Sequence, residues 1–179
     1  MNNNPESFLE KYGWSMKGTS AERKQIRIGG ISYSVLAAHT EEGFIAWRIF
    51  EGMTTGNDVA SFVNDEVRRV VNPESFCIID NASVNKVDDT LRALNKVFYY
   101  RILFSPRYQP RFKPIENGFS LIRKYIRKRE SEGALVNMSS TDLIQESFTM
   151  FSKWGPKGGV SKNLWKYYHA NHKFYVNSF

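Results

Sequence analysis

Strand-like and helix-like segments alternate along this chain instead of forming separate blocks. Residues 32–38 and 44–50 are rich in β-forming side chains and flank a turn, so they predict an antiparallel hairpin. Residues 75–80 form a short apolar run that ends in an acid, which is typical of a buried central strand. This alternation predicts an α/β fold, with a mixed central sheet flanked by helices.

Apolar side chains at helical spacing mark the segments between and after these strands. The predicted helices cover residues 57–71, 87–95, 115–129 and 141–151. Asn57 or Asp58 is expected to cap the first of them, and Ser139 or Ser140 the last. Residues 97–104 are apolar and aromatic, and they predict one more strand before a proline-rich loop.

Size and cysteine usage predict a single soluble domain inside the cell. A chain of 179 residues can bury a sizeable core without disulfides. The lone Cys77 has no partner for an internal disulfide, which favours a reducing compartment and a role as a small buried hydrophobe. No run of about 18 apolar residues and no signal-peptide pattern is present, so no membrane contact is expected.

Positive charge accumulates toward the C-terminus. The formal net charge is +7, which favours a polyanionic partner. After Glu146 the chain has no acidic residue, and lysines alternate there with tryptophans and tyrosines. This pattern divides the chain into a domain at residues 1–155 and a basic, aromatic tail at residues 156–179. The tail is suited either to contacts with nucleic acid or to docking of its aromatic side chains on the core.

Two carboxylates occupy positions that favour a shared metal site. Asp80 ends the predicted central strand, and Glu116 lies in the first turn of the helix that follows the proline-rich loop. The residues between them hold one helix and one strand, which allows both acids to reach the same edge of a sheet. Carboxylate oxygens are the ligands that Mg²⁺ and Mn²⁺ prefer. The alternative is structural: an acid at a strand end also forms turns, and one at a helix start also balances the helix dipole.

Four segments resemble mariner-type transposases of the DDE class. They are residues 12–18 (Tyr-Gly-Trp-Ser-Met-Lys-Gly), residues 33–38 (Tyr-Ser-Val-Leu-Ala-Ala), residues 78–83 (Ile-Ile-Asp-Asn-Ala-Ser) and residues 106–117 (Pro-Arg-Tyr-Gln-Pro-Arg-Phe-Lys-Pro-Ile-Glu-Asn). They occur in the order that this family shows. The resemblance implies an RNase H-like fold and two divalent ions, Mg²⁺ or Mn²⁺, held by Asp, Asp and Glu. Asp80 and Glu116 would be the second and third of these acids.

The resemblance also implies the partners of the chain. They are DNA, as transposon ends and as target, with no small-molecule substrate, and a homodimer is left open. In a eukaryotic host the protein would act in the nucleus. The chemistry would be metal-assisted cleavage and transfer of DNA strands.

The sequence departs from the family pattern in one serious way. An apolar strand bearing the first Asp is expected about a dozen residues before Tyr12, but the printed residues there contain neither. The first strand is therefore expected to be truncated or missing, unless Glu6 or Glu10 supplies the oxygen. Asn85, where the family has His, is a smaller departure, as are Gln109 and Lys113. The alternative function is thus a non-catalytic remnant that binds DNA or transposase subunits.

Four basic residues on the Glu116 helix are predicted to contact DNA. They are Arg123, Lys124, Arg127 and Lys128. Arg123 and Arg127 share the stripe of Glu116, and the two lysines flank it, which would place positive charge beside the metal site. The alternative is an ordinary solvated helix face.

Overall fold

The structure is a computed structural model that describes residues 2–3, 32–72, 74–105 and 114–157. Its strands are β1 (Asn2–Asn3), β2 (Tyr33–Thr40), β3 (Gly43–Glu51), β4 (Cys77–Ile79) and β5 (Ile102–Phe104). Its α-helices are α1 (Gly56–Phe62), α2 (Arg68–Val70), α3 (Asp88–Phe98), α4 (Pro114–Ser131) and α5 (Ser140–Met150). A π-helical segment, Val63–Val67, joins α1 to α2, and 3-10 turns occur at Ser83–Lys86 and Ala134–Val136. The predicted mixed α/β class is confirmed.

Strands β2 and β3 form the predicted antiparallel hairpin. Their register runs from Tyr33 opposite Glu51 to Thr40 opposite Gly43. Gly43 has a φ of 134°, and a Cβ added there would lie 2.7 Å from the backbone nitrogen of Lys153. Only glycine fits this turn, because both the conformation and the space exclude a side chain.

The described strands form two sheets rather than the single mixed sheet that was predicted. One sheet has the order β1-β2-β3 and is antiparallel, and the other is the parallel pair β4-β5. Among the described strands β4 pairs with β5 alone, so a neighbour is present on one side of β4, whereas a central strand has a neighbour on both sides.

The hairpin lies between two layers of helices. Side chains alternate across a strand, so Val35 and Ala37 face one layer while Leu36 and Ala38 face the other. The first layer is α4 and α5, whose core includes Ile122. The second layer is built from the α1–α2 segment and α3, which also cover one face of β4 and β5. None of the described helices has the length and apolar character that a membrane-spanning helix requires.

The segment predicted as a strand at residues 97–104 is helical in its first part. Helix α3 continues to Phe98, because Val97 and Phe98 complete its buried face and are only 5% and 4% exposed. The helix ends where Tyr99 adopts the left-handed conformation. Strand β5 is consequently limited to three residues.

The other helix boundaries lie within one or two residues of those predicted, apart from the first helix. Its N-cap is Thr55 rather than Asn57 or Asp58, since Asp58 is the third helical residue and closes a capping box with Thr55. The π-helical segment then interrupts this helix. In α5 the predicted cap is confirmed at Ser139, which also forms a capping box.

The strand that ends in Asp80 is shorter and less buried than predicted. Strand β4 has three half-buried residues, and Phe76 before it is 65% exposed. Cys77 and Ile79 pack against the helices, but Leu103, which pairs with Ile78 on the opposite face, is 47% exposed. The expectation of a central strand covered on both faces was therefore wrong for the described part of the chain.

Candidate metal centre

Asp80 lies at the edge of the sheet where β4 and β5 both end. The backbone N–H of Ser105 donates to the carbonyl of Ile79 at 2.8 Å, and the Asn81 side chain donates to the carbonyl of Ser105 at 2.9 Å. These two hydrogen bonds join the chain segments that leave the strands. The backbone position of Asp80 is fixed as a result, while its side chain is exposed.

One carboxylate oxygen of Asp80 accepts hydrogen bonds from neighbouring residues, and the other accepts none from the described residues. Oδ1 accepts hydrogen bonds from the backbone N–H of Ala82 at 3.0 Å and from Nδ2 of Asn85 at 2.6 Å. Oδ2 makes no hydrogen bond to any residue that the structure describes. A carboxylate oriented in this way through one oxygen can offer the other to a cation.

Asn85 therefore has a role that the sequence did not reveal. It was expected only as a tolerated departure from the family pattern. The 3-10 turn Ser83–Lys86 brings its amide back to Asp80, five residues earlier. The available signal was the short spacing of two polar residues after a strand, which is too common to identify a contact.

Glu116 lies where it was predicted, in the first turn of α4, and it is exposed. Helix α4 begins at Pro114, whose ring suits the start of a helix because the missing N–H has no partner there in any case. The loop that connects β5 to α4, with Gln109 and Lys113, is outside the described residues. The structure thus positions Asp80 and Glu116 on separate, well-defined elements.

Helix α4 is packed closely on the hairpin just after Glu116. A Cβ added to Gly118 would lie 3.0 Å from the ring of Phe44 and 3.4 Å from that of His39, so the helix approaches β2 without a side chain between them. The rings of His39 and Phe44 are themselves in edge contact, with centroids 4.8 Å apart. Burial lowers the pKa of His39 from 6.5 to about 4.

The other end of α4 is fastened to α5 by a polar contact. Nε of Arg129 donates to Oε1 of Glu146 at 2.9 Å, and the hydroxyl of Tyr125 donates to the same oxygen at 2.7 Å. The hydrogen bond from Arg129, followed by that from Tyr125, lowers the pKa of Glu146. Packing at one end and this contact at the other hold the helix that carries Glu116.

The four predicted DNA-contacting residues differ in exposure. Arg123 and Arg127 are half-buried, whereas Lys124 and Lys128 are exposed. Nε of Arg127 is buried and has no hydrogen-bond partner among the described residues, and Nζ of Lys128 lies 3.7 Å from Oε1 of Glu132. Arg123 follows Glu116 by two helical turns, or about 10 Å along the axis, and Arg127 by three turns, or about 16 Å.

No three His, Cys, Asp or Glu side chains are grouped as potential metal ligands among the residues that the structure describes. Asp80 and Glu116 are therefore not part of such a group within the described residues. The assignment of these two as metal ligands, and of the basic residues as DNA contacts, stays a prediction.

A parallel two-stranded edge that ends in an acid, with a second acid at the start of a packed helix, is compatible with a nuclease fold. Residues 2–134 match the family model described as DDE superfamily endonuclease, which is more than half of the chain. The chain belongs to this family. The family implies a DNA substrate and a transposase- or integrase-like nuclease function, and its domains generally use divalent metal ions. Among curated proteins no match to this chain was found.

Proposed function

We propose that this chain forms the RNase H-like catalytic core of a mariner-type transposase. Its activity would be cleavage and transfer of DNA strands with Mg²⁺ or Mn²⁺ held by Asp80 and Glu116. The observation that carries the proposal is the orientation of Asp80, whose Oδ1 accepts two hydrogen bonds while Oδ2 accepts none from the described residues. Family membership over residues 2–134, which include both acids, supports it.

The donor set suits a hard divalent cation. Both side chains are exposed carboxylates, and the described residues contain no group of three or more His, Cys, Asp or Glu side chains that would suit a softer metal. Oxygen ligands of this kind favour Mg²⁺ and Mn²⁺ over softer metals. An ion held there by Asp80 and Glu116 would supply Lewis-acid activation and charge balance for attack on a phosphodiester. Asn85 has the separate task of holding the Asp80 carboxylate in one orientation.

The basic flank of α4 is proposed to position the DNA backbone. Arg123 and Arg127 lie on the Glu116 side of the helix, so a phosphate chain along this flank would reach the metal site. Both side chains are half-buried, so their conformational freedom is already limited. Binding of a phosphate therefore costs them less side-chain entropy. Because such contacts release counterions, DNA affinity is expected to fall as salt rises.

Cleavage of a labelled DNA duplex in the presence of Mn²⁺ tests this function. The proposal predicts nicking by the parent protein that requires Mn²⁺ and disappears in Glu116→Gln. Glu51→Gln is the matched control, because Glu51 is an exposed glutamate at the far end of β3, and it should cleave like the parent. Cleavage that survives in Glu116→Gln would show that Glu116 is not required.

The second candidate is a domain that binds DNA or transposase subunits without cleaving DNA. It needs the basic flank of α4 for DNA contacts but no complete set of metal ligands. Metal binding and DNA binding without cleavage by the parent would support this candidate. The division into residues 1–155 and a tail, the homodimer and the nuclear location stay predictions.

A further inference from the structure

Two tyrosines at the start of β5 have a backbone conformation that tyrosine rarely adopts. Tyr99 has a φ of 49° and Tyr100 a φ of 64°, and they are the described non-glycine residues with positive φ. Left-handed backbone costs a residue with a Cβ about 1 kcal/mol or more, and Gly or Asn is the usual choice. Tyr99 is the C-cap that ends α3, and Tyr100 adds to this conformational cost.

The turn that contains them is held by hydrogen bonds. The N–H of Tyr99 donates to the carbonyl of Asn95, and the N–H of Arg101 donates to that of Phe98, both at 2.9 Å. The N–H of Cys77 donates to the carbonyl of Arg101, also at 2.9 Å. These bonds connect the turn to α3 and to the neighbouring strand, so the two rings project from a fixed backbone.

Both rings point into solvent, beside a third exposed aromatic side chain. Tyr99 is 64% exposed, Tyr100 is 82% exposed and Phe76 is 65% exposed. Phe76 and Tyr100 each precede one member of the hydrogen-bonded pair Cys77 and Arg101, so their backbones lie near each other. The three rings form what we call the aromatic edge (Phe76, Tyr99, Tyr100). It lies where β4 and β5 begin, at the end of these strands opposite Asp80.

The surroundings of the aromatic edge are basic. The α1–α2 segment and α3 each run back to the start of a parallel strand, and their last residues include exposed Arg69 and Lys96. Arg68 is a further exposed cation on the α1–α2 segment, and Glu74 is an exposed acid between this segment and β4. Cations around exposed rings complement a phosphate chain whose bases stack on the aromatics.

We propose that the aromatic edge binds an unpaired DNA strand by stacking of its bases. This would be a second DNA-contact surface, separate from the Asp80 and Glu116 site and from the basic flank of α4. DNA is the occupant because the family acts on DNA and because the patch carries excess positive charge. The strain at Tyr99 and Tyr100 is then the cost of presenting rigid rings to the bases. The inference uses the DNA substrate of the family and does not depend on metal binding.

Fluorescence anisotropy of a labelled oligo-dT strand, measured in EDTA, tests the proposal on the full chain. Tyr100→Ala and Phe76→Ala are each expected to weaken binding about fivefold or more, the lower limit for loss of one base–aromatic stack. Tyr100→Phe keeps the ring and should bind within about twofold of the parent. Met53→Ala, which removes a large exposed side chain outside the aromatic edge (83% exposed), should also bind within about twofold of the parent.

Tyr100→Asn separates this binding role from folding. Asn adopts left-handed backbone more easily than Tyr, so this variant should be at least as stable as the parent to urea and still lose oligo-dT affinity. Parent-like affinity of both Tyr100→Ala and Tyr100→Asn would overturn the proposal. So would a Tyr100→Ala variant that loses self-association in sedimentation while its oligo-dT affinity is unchanged. Because EDTA removes divalent ions, neither result bears on the proposed metal site.

Discussion

Phe148→Ala is expected to lower the free energy of unfolding by about 3 to 5 kcal/mol, as measured by urea titration of the far-ultraviolet circular dichroism. Phe148 is 0% exposed. Its ring lies 4.8 Å from that of Phe44 and 5.7 Å from that of Trp47, both on β3, and 6.3 Å from that of Phe119 on α4. The substitution leaves a cavity between the hairpin and both helices of this layer, because three separate elements cannot all move in to fill it.

Phe76→Ala is the matched control, since it removes the same side chain from an exposed position. Phe76 is 65% exposed, so its loss should change the free energy of unfolding by no more than about 0.5 kcal/mol. An equal loss of unfolding free energy in the two variants would contradict the packing of α4 and α5 on the hairpin. That packing is what holds Glu116 beside β2.

Acidification is expected to destabilise the protein through His39. Burial lowers its pKa from 6.5 to about 4, so the folded state favours the neutral ring. Its contribution to stability is fully present above pH 6.5 and is lost as the pH falls toward 4, because the unfolded chain takes up the proton first. The full shift corresponds to about 3 kcal/mol.

Comparison with His39→Gln isolates this contribution. Carboxylates titrate in the same acidic range in both proteins, so the quantity to measure is the difference in unfolding free energy at several pH values between 7 and 4. The parent should lose more stability than the variant, and the difference should grow steadily across this interval. Parallel pH profiles would show that His39 is as accessible to protons in the folded state as in the unfolded one.

The local sequence pattern was sufficient to predict the hairpin and most of the helices. Alternation of side chains along β2 and β3 and helical spacing along α4 and α5 reflect burial on one face, which a sequence records directly. Val97 and Phe98 were assigned to a strand because their intrinsic preference is for β structure, but burial against Leu94 made them helical. The exposure of β4 depends on which elements cover it, and its own residues do not contain that information.

The sequence predicted the two acids of the candidate site, but it did not predict the residues that hold these acids in place. Asp80 and Glu116 follow from a strand end and a helix start, which are features of local sequence. The contact of His39 with Gly118 joins residues far apart in the chain, and no local pattern indicates it. Asn85 is close to Asp80 in sequence, but only the 3-10 turn directs its amide to the carboxylate. The left-handed tyrosines likewise carry no signal, since sequence rules place Gly or Asn in such turns.

Mn²⁺ titration by calorimetry tests most directly whether Asp80 and Glu116 bind a divalent ion together. The parent and Glu51→Gln should bind Mn²⁺ alike, while Asp80→Asn and Glu116→Gln should each lose binding. Asn85→Ala should bind about tenfold to a hundredfold more weakly, because Asp80 is then no longer oriented. Absence of binding by the parent, or undiminished binding by both carboxylate variants, would contradict this shared binding.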